Sequence, residues 1–142
     1  MCRLDNLETM LVAILSKVSR KIAREWNVIS EHIEKFIASE FTFLHEEQHD
    51  FLLFDEDTFS RSRQYFWVIT SIGEFIPILD ETILRWEEIT SWDIWRTLYH
   101  ERRKVESYTQ RLESIKERLK SQRERSTVLR DGVSCIVVLP GE

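Results

Sequence analysis

The scarcity of turn-forming residues is the feature that most constrains how this chain can fold. The 142 residues include only three Gly and two Pro, where average usage would give about 17. Sandwiches and barrels need turn signals at intervals of about ten residues, so a few long helices are expected instead. A hydrophobic content of 42% excludes a wholly disordered chain. We predict an all-α fold of long antiparallel helices with an extended, coiled-coil-like C-terminal helix.

A first helix is predicted over residues 6–43, because apolar side chains recur at spacings of three and four. Such spacing places them on one helical face, which we expect to face the core. Asp5 and Glu8 form a capping-box pattern at its start. The stripe consists of Leu7, Leu11, Ile14, Val18, Ile22, Trp26, Ile29, Ile33 and Phe36.

A second helix is predicted over residues 57–89. Gly73 and Pro77 predict a kink near residues 73–77, since proline removes a backbone donor and crowds the preceding turn. The expected core stripe of this helix repeats with a period near 3.5. It consists of Phe59, Phe66, Ile69, Ile72, Ile76, Leu79, Ile83 and Trp86.

A third helix is predicted over residues 91–131, from a capping pattern at Thr90 and Asp93 to a stop at Gly132. Four apolar residues within it recur at intervals of seven, which is the spacing of a coiled-coil seam. We expect this helix-association seam to need a partner helix from another chain. The seam consists of Leu98, Val105, Leu112 and Leu119. Residues 1–132 would form one helical stalk-like domain and residues 133–142 a separate tail.

Charge is segregated along the chain. Residues 31–57 carry nine acids and one base, whereas residues 96–130 carry eleven bases and five acids. The predicted basic face of the third helix consists of Arg102, Arg103, Arg111, Lys116, Arg118 and Arg123. We expect a homo-oligomer or partner helices, together with peripheral contact with an anionic membrane surface. Nucleic acid is not expected, because these bases are interleaved with the heptads and form no separate block.

Cysteine usage and hydropathy favour a cytoplasmic protein. Cys2 and Cys135 are far apart and lack the spacing of a metal site or a disulfide scaffold. The apolar run at residues 10–15 is too short for a signal peptide. Uncharged stretches of ten residues are well below the length of a membrane span.

The sequence HEEQH at residues 45–49 matches the H-E-x-x-H pattern of zinc peptidases. On a helix, His45 and His49 could bind zinc while Glu46 activates a bound water. The surrounding segment is acidic and aperiodic, and a third ligand would have to come from Asp80, Glu81, Glu87 or Glu88. We therefore predict no catalytic residue, no metal ligand and no cofactor, and keep the zinc peptidase as a less favoured alternative.

Residues 54–67, FDEDTFSRSRQYFW, resemble the cytosolic part of fungal proteins related to the CorA magnesium transporters. The similarity continues through Trp86 and the heptads to the sequence LRDG at residues 129–132. The resemblance implies a cytosolic helical stalk from a family of pentameric channels for divalent cations. It also implies that the basic helix lies on the cytosolic side of a membrane, where Lys and Arg gather.

The chain departs from that family after Gly132, where the resemblance would require more helix and then a membrane span. No Gly-Met-Asn sequence occurs, so no ion-selecting residue can be assigned. Val133-Ser134 can be encoded across a splice-donor consensus, and translated intron is one hypothesis for the last ten residues. We expect a truncated stalk region that acts through helix association and is not itself a transporter or an enzyme. The alternative is a free-standing coiled-coil interaction module.

Overall fold

A computed structural model describes the backbone of residues 2–44 and 58–138, and the side chains of residues 6–37 and 62–131. The backbone forms three helices, α1 (Cys2–Leu44), α2 (Thr58–Thr90) and α3 (Tyr99–Val138). One short 3₁₀ turn, Asp93–Trp95, lies between α2 and α3. Within these ranges the chain contains no strand, and the all-α prediction is confirmed.

The chain divides into two compact units. The first comprises Met1–Ile29 and Pro77–Glu117, and the second comprises Ser30–Ile76 and Arg118–Glu142. Each unit therefore contains a segment of all three helices. The division falls within α2 at Ile76–Pro77, and the helix continues through Gly73 and Pro77 without a break.

The first unit has a core of aliphatic and tryptophan side chains from all three helices and the 3₁₀ turn. Burial of each large apolar side chain contributes about 1.5–3 kcal/mol. The buried hydrophobic residues of this unit are Val12, Ala23, Leu79, Ile83, Trp86, Trp95, Val105, Leu112 and Ile115.

The second unit combines an apolar core with a buried polar group. The aromatic rings of Phe36 and Tyr65 meet edge to face, with centroids 6.4 Å apart. Buried polar side chains are contributed by Ser30, Gln122 and Ser126. Among the side chains that the structure describes, the buried hydrophobic residues of this unit are Ile33, Ile37, Tyr65, Val68, Ile69, Ile72, Leu119 and Leu129.

Helix α1 is rotated relative to the sequence-based expectation. Its buried positions are Val12, Ser19, Ala23, Ser30, Ile33 and Ile37. Of the predicted apolar stripe, Ile33 is buried and its neighbours Ile22, Trp26, Ile29 and Phe36 are half-buried. The first four members of the stripe, from Leu7 to Val18, are exposed. The prediction that this stripe faces the core is therefore wrong for residues 7–18, because the face that α1 buries is the one that carries Val12, Ser19 and Ala23.

The link between α2 and α3 also differs from the prediction. Trp92 adopts an extended conformation, with φ −67° and ψ 146°, and this interrupts the helix. The buried Trp95 indole donates a hydrogen bond from Nε1 to the Ile89 carbonyl oxygen at 2.7 Å. This contact folds the link back on the end of α2, so α3 begins at Tyr99 rather than at residue 91. Helix α3 then continues through Gly132, where a stop was expected.

Candidate functional site

The helix-association seam is buried by the chain itself. Val105, Leu112 and Leu119 have at most 1% of their surface exposed, and Leu98 is half-buried. Val105 and Leu112 belong to the core of the first unit, and Leu119 to that of the second. The spacing of seven therefore marked a real packing seam. The expectation that a second chain covers it is corrected, because helices of the same chain do so.

The predicted basic residues flank this seam. Arg111 and Arg118 immediately precede Leu112 and Leu119, in the positions from which charged side chains of coiled coils reach a neighbouring helix. Within the first unit, Lys116 Nζ on α3 lies 2.9 Å from Asp80 Oδ1 on α2. Hydrogen bonds to the carboxylates of Asp80 and then Glu113 raise the pKa of Lys116. Lys116 is therefore engaged in ion pairs within the chain.

The other basic residues also have neighbours within the chain. Arg102 Nε donates to Glu106 Oε1 at 3.0 Å. The guanidinium groups of Arg103 and Arg111 lie over the rings of Tyr99 and Tyr108, 5.6 Å from each centroid. In the second unit, Arg118 lines a surface cavity with Glu31, Glu34 and Lys35, and the Arg123 guanidinium lies beside Gly73. These six bases are therefore distributed around α3 and do not form one continuous face.

The first half of α1 carries a series of exposed apolar side chains. We call Leu7, Met10, Leu11, Ile14 and Val18 the α1 stripe; they are 42–64% exposed. Their spacings of three and four place them side by side on one helical face. Scattered surface leucines are ordinary, but a contiguous apolar patch of this kind is typical of an interaction site.

A row of bases borders the α1 stripe. Lys17, Arg20, Lys21 and Arg24, which we call the basic rim, are all exposed. Lys17 and Lys21 follow Ile14 and Val18 by three residues, so they are surface neighbours of the stripe. Within the described residues, no ion pair joins a member of the basic rim to an acid. The two features together form an amphipathic surface.

A polar group lies inside the second unit. Gln122 Nε2 donates to the Ser30 carbonyl oxygen at 3.0 Å and to Glu34 Oε2 at 2.9 Å. Arg125 Nη1 donates to Glu34 Oε1 at 2.9 Å. The hydrogen bonds from Gln122 and then Arg125 hold the pKa of Glu34 below its usual range. These contacts fix the axial position of α3 relative to α1 within this unit, since a shift of one turn would break all three.

Metal binding finds no support among the described side chains. Within that set, no three His, Cys, Asp or Glu residues are grouped so that they could hold a metal ion. The HEEQH sequence lies outside the described residues. Asp80, one of the suggested third ligands, is paired with Lys116. The zinc-peptidase alternative therefore rests on the sequence pattern alone.

Across residues 2–44 and 58–138, no helix combines the length and the apolar character needed to cross a bilayer.

Comparisons with protein-family models, with curated proteins and with solved structures find no match to this chain.

Sequence reasoning found four of the five residues of the α1 stripe, all but Met10, and assigned them to the core. The signal that could have corrected this is the second series on the same helix, in which Val12, Ser19, Ala23 and Ser30 share a face. That series is weakly hydrophobic. Because periodicity is weighted by hydrophobicity, the bulkier exposed series dominated the pattern.

Proposed function

We propose that this chain is a helical interaction module that docks through the α1 stripe. The observation that carries the proposal is the exposure of five large apolar side chains on one face of α1, beside a core that is already formed. Covering such side chains contributes about 25 cal/mol for each Å² of apolar surface removed from water. An uncovered stripe therefore favours association with any apolar surface that fits it.

The chain's own packing separates docking from folding. The heptad seam of α3 is buried within the chain whereas the α1 stripe is 42–64% exposed, so the core depends much less on the stripe than on the seam. Residues on the stripe can consequently be changed with little effect on the core. This separation makes the proposed docking function testable with variants that remain folded.

The test is binding to an uncharged apolar surface. Sedimentation of the purified chain would be measured over a range of protein concentrations, with and without dodecyl maltoside micelles. The wild-type chain is expected to self-associate or to bind micelles, because either process covers the α1 stripe. The double variant Leu11→Ser/Ile14→Ser is expected to do neither.

The matched control is Ala13→Ser, which changes an exposed residue of the same helix away from the stripe. It should behave like the wild-type chain, and circular dichroism would verify that all variants keep their helix content. A wild-type chain that stays monomeric and free of detergent throughout would contradict the proposed function.

A second candidate function is the stalk region of a CorA-like transporter for divalent cations. It is supported by the resemblance of residues 54–132 and by the exposure of two aromatic side chains within the resembling segment, Phe66 and Trp67. Neighbouring subunits of an oligomer would cover such a pair, since buried aromatic residues dominate interface energetics.

Transcript sequencing tests this second candidate. The expected result is a spliced message in which the reading frame leaves the present sequence at Val133 and continues into two hydrophobic spans. Only messages that encode residues 133–142, in every read across that junction, would exclude it.

A further inference from the structure

We propose that the α1 stripe and the basic rim together dock on an anionic lipid surface. This inference rests on the proposed docking function and names the surface that is bound. The helix would lie in the plane of the membrane interface, with its apolar stripe among the acyl chains and the bases of the rim among the headgroups. Binding of this kind is peripheral and needs no membrane-spanning helix.

The charge of this part of α1 complements an anionic surface. The whole chain has a formal charge of −5, yet residues 7–24 carry four bases and a single acid, Glu8. The bases recur at residues 17, 20, 21 and 24, a spacing that places them on one side of α1. Positive charge is therefore concentrated beside the apolar surface, although the protein as a whole is acidic.

The basic rim lies directly beside the α1 stripe. Lys17 and Lys21 neighbour the stripe closely enough for their aliphatic stems to lie along it while the ammonium groups stay in water. In the interface of a membrane, the same geometry brings those ammonium groups to the phosphate level. Each basic side chain near an anionic leaflet strengthens binding through the negative surface potential.

The composition of the stripe favours lipid over a protein partner. All five members are aliphatic or thioether side chains, whereas energetic hot spots of protein interfaces are enriched in Trp, Tyr and Arg. Acyl chains accept aliphatic groups without a matching pocket. A second copy of the chain is a poorer occupant of the α1 stripe than lipid. Parallel pairing of two α1 helices would bring their Lys21 side chains together, because Lys21 lies on the continuation of the stripe.

The experiment is flotation of the full chain with vesicles. Phosphatidylcholine vesicles containing about one third phosphatidylserine would be compared with pure phosphatidylcholine vesicles. Binding to the anionic vesicles is expected to be at least about tenfold stronger, and to fall when salt is raised to about 0.5 M, where surface charges are screened.

Three double variants identify which residues of the chain contact the vesicle. Lys17→Gln/Lys21→Gln should weaken binding by about 20- to 30-fold, the loss expected for two bases near the surface. Leu11→Ser/Ile14→Ser should abolish it. Arg103→Gln/Arg111→Gln, an equal loss of charge on α3, should leave binding within about twofold of the wild-type value, since the guanidinium groups of these residues lie over Tyr99 and Tyr108 of their own helix.

The outcomes separate this inference from the proposed function. Equal binding to both kinds of vesicle, or a loss of binding confined to the α3 variant, would overturn the inference. Absence of vesicle binding, with stripe-dependent self-association or micelle binding retained, would overturn it while leaving the docking function in place. Absence of all three forms of association would overturn both.

Discussion

Trp95 shows how one residue sets the boundary of an element. The indole is 1% exposed, and its hydrogen bond to the Ile89 carbonyl oxygen satisfies a group at the end of α2. Capping patterns correctly indicated an interruption near residues 90–93. They could not place the start of α3, because that start depends on where the Trp95 indole packs in the core of the first unit.

The first prediction concerns this residue. Trp95→Phe should lower the free energy of unfolding by about 1–3 kcal/mol, because a smaller ring replaces the buried indole and the Ile89 carbonyl oxygen loses the shorter of its two hydrogen bonds. The hydrogen bond from the Trp92 backbone N–H to the same oxygen, at 3.2 Å, remains. The matched control is Trp92→Phe, at an exposed position, which should change it by less than about 0.5 kcal/mol. Urea unfolding followed by circular dichroism measures both. Equal effects would contradict the assigned role of Trp95.

The second prediction concerns Glu34. Its pKa is lowered by hydrogen bonds from Gln122 and Arg125, so the stabilisation is present above the pKa of the unfolded state, about 4.3. It is lost as pH falls through the lower pKa of the folded state. Glu34→Gln should therefore cost about 0.5–1 kcal/mol at neutral pH, a modest value because the ion pair is partly exposed.

Unfolding measured from pH 7 to pH 3 tests this sign. The difference between the wild-type chain and Glu34→Gln should shrink below about pH 4. The control Glu25→Gln, at an exposed position, should change the free energy of unfolding at neutral pH by less than about 0.5 kcal/mol. A difference that grows on acidification would be the opposite of the expected linkage.

At the scale of the element, the two kinds of apolar repeat had different outcomes. The interval of seven in α3 correctly identified Val105, Leu112 and Leu119 as packing residues, because large side chains are buried there. The stripe of α1 was assigned to the wrong face. On that helix the buried positions include Ser19, Ala23 and Ser30, whose small side chains are weak hydrophobic signals. Sequence patterns record hydrophobicity and say little about how closely helices approach.

The third prediction compares these two surfaces directly. Leu112→Ala should destabilise the chain by about 2–5 kcal/mol, because it removes buried methyl groups and leaves a cavity. Leu7→Ala, on the α1 stripe, should change the free energy of unfolding by less than about 0.5 kcal/mol. Thermal and urea unfolding at low protein concentration, where self-association is suppressed, give both values. A larger effect at Leu7 would show that the stripe belongs to the core.

The fourth prediction concerns Gly73 in α2. Glycine within a helix costs about 0.5–1 kcal/mol relative to alanine. A Cβ added at Gly73 would lie 3.4 Å from Arg123 Nη2, at the far end of a flexible side chain that can move. Gly73→Ala should therefore raise the free energy of unfolding by up to about 1 kcal/mol, as measured by urea unfolding. A destabilised variant would mean that the guanidinium cannot shift.

At the scale of the whole molecule, the sequence predicted a helical chain but assigned the surfaces of α1 and α3 incorrectly. On α2 the expected core stripe is buried at Ile69, Ile72, Leu79, Ile83 and Trp86 and exposed at Phe66. Few turn-formers and long apolar periods were sufficient for three long helices. They were not sufficient to decide which apolar face is covered by the chain and which is left for a partner. That choice depends on the combined packing of α1, α2 and α3 within each unit, which no single helical period contains.

The interaction surface was expected on α3, and we now propose that it lies on α1. The seam that was expected to recruit a partner is internal, and several bases beside it contact acids or aromatic rings of the same chain. The docking surface that we propose is the α1 stripe with its basic rim. Function is therefore proposed from the face that packing leaves exposed, and the family resemblance remains a separate hypothesis.

The central claim is that α1 presents an open apolar stripe while the α3 seam is closed. In a background where Cys2 and Cys135 are changed to Ser, the substitutions Val18→Cys and Val105→Cys place the same thiol on each surface. Val18 is 43% exposed and Val105 is 0% exposed. The rate of reaction with a water-soluble maleimide would be measured on the folded chain at low concentration. We expect rapid labelling at residue 18 and labelling at residue 105 only as fast as the chain opens; the reverse order would contradict the account.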